Sequence, residues 1–127
     1  MKHKPKILVI DDDVDLVAVM KGTLESKLYD VVVAYNGQEG LEKARKEKPD
    51  LIILDIMMPI MDGFNFADSF GKDPAISKIP VIALTSFSES LGQPFPFQVS
   101  EYIMKPIKPK NLLSKVEEYL KRRDSPT

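Results

Sequence analysis

The sequence predicts a doubly wound α/β fold, in which parallel strands are covered by helices on both faces. Three observations predict it: five short apolar runs without polar alternation, helical apolar stripes between them, and 127 residues, a length that suits one domain with a proper core.

Ile7-Leu8-Val9-Ile10 is too short for a helix and carries no polar alternation, as expected of a strand buried on both faces. Val31-Val32-Val33-Ala34, Leu51-Ile52-Ile53-Leu54, Val81-Ile82-Ala83-Leu84 and the shorter Tyr102-Ile103-Met104 read the same way. Between the first two runs, Leu16, Val17, Met20, Leu24 and Leu28 recur at helical spacing. Asp13 and Asp15 are the expected capping acids at its start. Asn36-Gly37 opens a second helix with Leu41 and Ala44 on its apolar side, ended by Pro49. Phe64, Ala67 and Phe70 stripe a third, with Gly71 just past its end, and Leu112, Leu113, Val116, Tyr119 and Leu120 stripe the last. The stretch from Ser86 to Ser100 breaks the rhythm. Pro94 and Pro96 each remove a backbone donor, so a fourth helix there is shortened or irregular, with one or two turns near Ser88–Gly92 at most.

Composition excludes several chemistries. With no cysteine, disulfides, thiolate nucleophiles and Cys-type metal sites are out, and the one histidine, His3, lies in a lysine-rich N-terminal tail. No run reaches 18 apolar residues and no charged-then-apolar leader opens the chain, so a cytoplasmic protein without membrane contact is expected. The formal net charge of −1 gives no basic footprint for nucleic acid. That total conceals an uneven layout: Asp11 to Asp73 holds 14 acidic residues against 7 basic, and Lys105 to Arg123 holds 7 basic against 2 acidic. A solvated helix face is the ordinary explanation of the C-terminal lysines.

In open α/β sheets, ligands bind beyond the carboxyl ends of the strands. The first strand is followed by Asp11, Asp12 and Asp13, the third by Asp55, the fourth by Thr85 and Ser86, and the fifth by Lys105-Pro106. For any single acid, helix capping is the simpler explanation; four strand ends with complementary groups are not explained that way. Crowded carboxylates raise one another's pKa unless a cation joins them, and Mg²⁺ suits an all-oxygen set. A carboxylate beside such an ion can act as a nucleophile toward phosphorus, with the lysine and hydroxyl holding the phosphoryl oxygens.

These residues resemble the receiver domain of two-component response regulators. The matching stretches are ILVIDDD at 7–13, PDLIILDIMMPIMDG at 49–63, IPVIALTS at 79–86 and YIMKP at 102–106, in order and over about the whole chain. The resemblance implies a CheY-like, flavodoxin-like five-stranded sheet in the order 2-1-3-4-5. It implies a single receiver domain over 1–127, with a core of about 5–121 and a polar tail at 122–127. Asp55 becomes the phosphoacceptor, Asp12 a direct Mg²⁺ ligand, Asp11 a ligand acting mainly through water, and Met57 a ligand through its backbone carbonyl. Thr85 resembles the switch hydroxyl, Lys105 the lysine that pairs with the phosphoryl group, and Tyr102 the aromatic rotamer switch, whose plain alternative is a strand aromatic with its hydroxyl at the surface. The Lys105–Pro106 bond is expected to be cis. QPFPFQ at 93–98 departs from the family's amphipathic fourth helix and leaves the output surface open.

The implied function is a stand-alone phosphorylation switch, not a turnover enzyme. Its donor is a histidine kinase or phosphotransfer protein and its target a downstream protein reached without nucleic acid or membrane, as a monomer or a weak phosphorylation-dependent dimer. The competing reading is an adaptor whose altered fourth-helix region binds a partner independently of phosphorylation. A phosphatase acting through an aspartyl phosphate is disfavoured because no second positioned acid, cap or lid is evident.

Overall fold

The computed structural model describes residues 4–56, 63–85 and 100–124. Along these residues run β1 (Lys6–Ile10), α1 (Val14–Glu25), β2 (Asp30–Ala34), α2 (Gly37–Glu47), β3 (Leu51–Asp55), α3 (Gly63–Gly71), β4 (Val81–Thr85), β5 (Glu101–Met104) and α4 (Pro109–Asp124). The expected fourth-helix irregularity and the segment at 93–98 lie outside the described residues, as does Met57.

All five strands are parallel and stand in the order β2-β1-β3-β4-β5. The chain winds outward from β1 in one direction, then back through β3 in the other, so the switch point falls between β1 and β3. β3 and β4 are buried along their whole length, β1 along all but its first residue, and the edge strands β2 and β5 only in part. Successive side chains alternate between two cores. Leu8, Ile10, Ile52, Leu54 and Ala83 meet Leu41, Ala44, Phe66 and Phe70 on the α2–α3 side. Ile7, Val9, Ile53, Ile82 and Leu84 meet Val17, Met20, Leu24, Leu112 and Val116 on the α1–α4 side. Among the described residues, no helix is long and apolar enough to cross a membrane.

The helix starts follow the capping signals. Asp13 is the N-cap of α1, its carboxylate accepting from the Leu16 N–H at 3.1 Å, and Asn36 caps α2 through the Glu39 N–H at 2.8 Å. Asp15 is not a cap: it lies in the first turn of α1, where its charge complements the helix dipole. Lys48, in the left-handed conformation, terminates α2 just before Pro49.

One apolar assignment changes and one is added. Leu28 is 70% exposed and lies beyond α1, because the helix must turn sharply into β2. The Tyr29 N–H reaches back to Leu24 O and the Leu28 N–H to Glu25 O, leaving Leu28 at φ 66° in a place where glycine is usual. Among the described side chains of α3, Phe66 and Phe70 are buried, one turn apart, with stacked rings 5.5 Å between centroids. The sequence stripe joins Phe64 to Phe70 through Ala67 in three-residue steps and leaves out Phe66, which stands four residues before Phe70; the side chains of Phe64 and Ala67 lie outside the described residues. Gly71 is the last residue of α3 and not the residue after it.

Glycine matters at one close approach. A Cβ on Gly40 would stand 2.5 Å from Ile10 Cδ1, so α2 can lie this close to β1 only without a side chain there.

Candidate functional site

The parallel sheet delivers its chemistry at one edge. Asp11 follows β1 directly, with its N–H bonded to Ala34 O at 3.1 Å, and Asp55 closes β3 in register with Leu84. Thr85, the next residue of β4, is fully buried. Its carbonyl accepts from the Lys105 N–H at 2.7 Å, which fixes where the lysine leaves β5. The Lys105–Pro106 bond is cis, as the family resemblance implied.

Three carboxylates meet there. Asp11, Asp12 and Asp55 each offer an oxygen within 4.8 Å of the others. Their surroundings differ: Asp11 is fully buried, Asp55 is 4% exposed, and Asp12 faces solvent. Lys105 Nζ donates to Asp55 Oδ2 at 3.2 Å and stands 3.2 Å from Asp11 Oδ2, bridging two acids that would otherwise repel.

The arrangement leaves a deficit on Asp11. Its Oδ1 accepts from the Asp13 N–H at 3.0 Å, but Oδ2 is buried and its approach to Lys105 is not aligned for a hydrogen bond. Burial, aided by the Asp55 charge, pushes the Asp11 carboxyl from 3.8 up to about 6, against the Asp13 N–H and Lys105, which pull it down. Burial also works against the Lys105 ammonium, yet Asp11 and Asp55 together outweigh it and hold that pKa above its ordinary value. A buried carboxylate oxygen without a hydrogen-bond donor, among three convergent carboxylates, is what a hard oxygen-seeking cation would satisfy.

Tyr102 lies elsewhere. It is half-buried on β5, in register with Ala83, and packs against the α2–α3 core; burial raises its hydroxyl pKa. The structure thus brings Asp11, Asp12, Asp55 and Lys105 into one cluster, sets Thr85 at the strand end beside it, and keeps Tyr102 three residues back along β5.

Sequence reasoning missed the second task of Asp13. Its side chain caps α1 while its main chain secures Asp11, an Asx-type turn that a run of three acids makes available.

The comparisons agree with this arrangement. A family model described as the response regulator receiver domain matches residues 7–117. The chain belongs to that family. This receiver domain is similar to a probable transcriptional regulator, ycf27, of Pyropia yezoensis, at 35% identity over 98% of the chain and 51% of that protein. It is also 34% identical to the alkaline phosphatase synthesis transcriptional regulatory protein PhoP of Bacillus subtilis, over 94% of the chain and 50% of that protein. The receiver domain therefore spans about half the length of these curated relatives. Among solved structures, a CheY-like receiver domain protein from Methanospirillum hungatei superposes with a TM-score of 0.87 at 30% identity, covering 96% of this chain and 98% of that one.

Proposed function

We propose that the receiver domain accepts a phosphoryl group on Asp55 from the phosphohistidine of a histidine kinase or phosphotransfer protein, and relays the signal by protein–protein contact. The observation that carries this reading is the near-buried Asp55 carboxylate, held between two further acids and bridged to one of them by Lys105.

Each residue then has a role. An Asp55 oxygen forms the new bond to phosphorus as the P–N bond of the phosphohistidine breaks, and the electron pair stays with the imidazole nitrogen. Lys105, already in contact with Asp55, follows the charge onto the phosphoryl oxygens and gives up its approach to Asp11. Asp11, Asp12, Asp55 and the Met57 carbonyl are the groups that would hold Mg²⁺, whose charge would neutralise the oxygens around phosphorus. Thr85 offers its hydroxyl from the end of β4, and Tyr102 reads the rearrangement from β5 as the second half of the switch. The proposed role is a switch in the cytoplasm rather than an enzyme with turnover.

The curated relatives are named as transcriptional regulators, so output through a DNA-binding region competes with output through a separate protein. The net charge of −1 gives these 127 residues themselves no basic footprint for nucleic acid. An adaptor indifferent to phosphorylation has no use for the buried acids and their lysine, since burial, and after it the Asp55 charge, raises the Asp11 pKa at a cost to the fold.

Intact-mass analysis after incubation with acetyl phosphate and Mg²⁺, and separately with an autophosphorylated histidine kinase, tests the proposal. Wild type should gain one phosphoryl group and Asp55→Asn none. Equal behaviour of the two proteins under both donors would refute it.

A further inference from the structure

Lys105 enters the site from the least secured strand. β5 has four residues, pairs with β4 alone, and has no fully buried residue. An edge strand this short frays easily, and Lys105 stands at its far end. Its contacts with Asp11 and Asp55 nonetheless require β5 to stay in register, since a shift of one residue moves the lysine by about 3.3 Å.

The opposite end of β5 is fastened by polar contacts that the apolar stripe of α4 does not predict. The Tyr119 hydroxyl lies 2.7 Å from Ser100 O and 2.9 Å from Glu101 Oε1, so its single proton is shared between two acceptors. Lys115 Nζ stands 3.4 Å from Glu101 Oε2, offsetting the carboxylate that the hydroxyl faces. Ser100 is tied to β4 as well, its N–H to Val81 O at 2.8 Å and its hydroxyl to the Val81 N–H at 3.3 Å. The Tyr119 ring is buried in the α1–α4 core, with the Arg122 guanidinium 4.8 Å above it. The last helix thereby grips the first residue of β5 and the residue before it.

We infer that Tyr119 is a positioning residue for phosphoryl acceptance: by clamping Ser100 and Glu101 it holds β5 in the register that delivers Lys105 to Asp55. This rests on the phosphoacceptor reading of Asp55. Tyr119 touches no reacting atom, and its influence passes along one strand, about 13 Å from Glu101 to Lys105. Packing alone does not require the hydroxyl, because a phenyl ring fills the same core volume.

The test is a double-mutant cycle on the rate of Asp55 phosphorylation by acetyl phosphate with Mg²⁺. Tyr119→Phe keeps the ring and removes the clamp's proton, and should slow the rate about fivefold, the scale of one lost hydrogen bond. In a Lys105→Ala background the same change should have almost no effect, since no lysine remains to be positioned. Glu101→Leu removes one of the hydroxyl's two acceptors and leaves Ser100 O, so it should slow the rate less than Tyr119→Phe beside wild type and hardly at all in the Lys105→Ala background. A general loss of stability would slow both backgrounds alike, so equal reductions overturn the inference, as does an unchanged rate for Tyr119→Phe beside wild type. If wild type shows no Asp55-dependent phosphorylation, the function itself falls and the clamp's role with it.

Discussion

The site is built from two regions of opposite character. The acids stand on β1 and β3, strands walled on both faces, and Asp11 and Asp55 are themselves almost without solvent contact. The cation arrives from β5, an edge strand held by polar ties, and its side chain keeps 20% exposure. The two regions divide the labour. Asp11 and Asp55 are set at the ends of strands buried on both faces, and the ammonium that bridges them comes from the end of a partly exposed edge strand.

Stability should report this contrast most strongly. Leu54→Ala, in the middle of β3, should lower the unfolding free energy by about 3–4 kcal/mol, while Met104→Ala on the half-exposed end of β5 should cost under about 1 kcal/mol. Urea denaturation of the two variants measures it, and similar losses would erase the distinction between centre and edge.

The electrostatic cost of the buried acids is the next largest effect. A carboxyl raised to about 6 when folded binds its proton before the unfolded chain does, so metal-free stability should fall as pH rises from about 4 to about 6 and level off above. Asp11→Asn keeps the acceptor for the Asp13 N–H and removes the charge. It should stabilise the metal-free protein by about 2 kcal/mol at pH 7.5 and flatten that slope. Added Mg²⁺ should reverse the order, stabilising wild type more than the variant. Thermal denaturation across pH, with and without Mg²⁺, reads all three.

Glycine substitutions give the smallest and sharpest contrast. Gly40→Ala forces a methyl group against Ile10 at the sheet centre and should destabilise by about 1–2 kcal/mol. Gly22→Ala, on the open outer face of α1 with nothing within 4 Å of the new Cβ, should stabilise by about 0.5–1 kcal/mol. Opposite signs in one urea titration series would confirm that only the first glycine is required by packing.

The same contrast marks what the sequence discloses. The central strands are legible because burial on both faces leaves no polar alternation, and the acids and lysine are legible because each follows such a run. Leu28 was misassigned because an apolar residue at helical spacing cannot be told from one forced into a left-handed turn by the hydrogen bonds of its neighbours. Phe66 escapes the stripe because two three-residue steps, from Phe64 through Ala67, also end on Phe70 and draw the apolar line past it. The Tyr119 clamp was invisible because its ring belongs to the apolar stripe while its hydroxyl acts on a strand 18 residues away. Helical period reports which face a residue occupies, not what the tip of its side chain reaches.

Trapping the acyl phosphate identifies the residue that accepts the phosphoryl group. Borohydride reduction of the phosphorylated protein, followed by peptide mapping, converts an aspartyl phosphate to homoserine. Homoserine at position 55, and at no other aspartate, is the predicted result. Homoserine at Asp11 or Asp12, or none at all after confirmed incubation with an active donor, would contradict it.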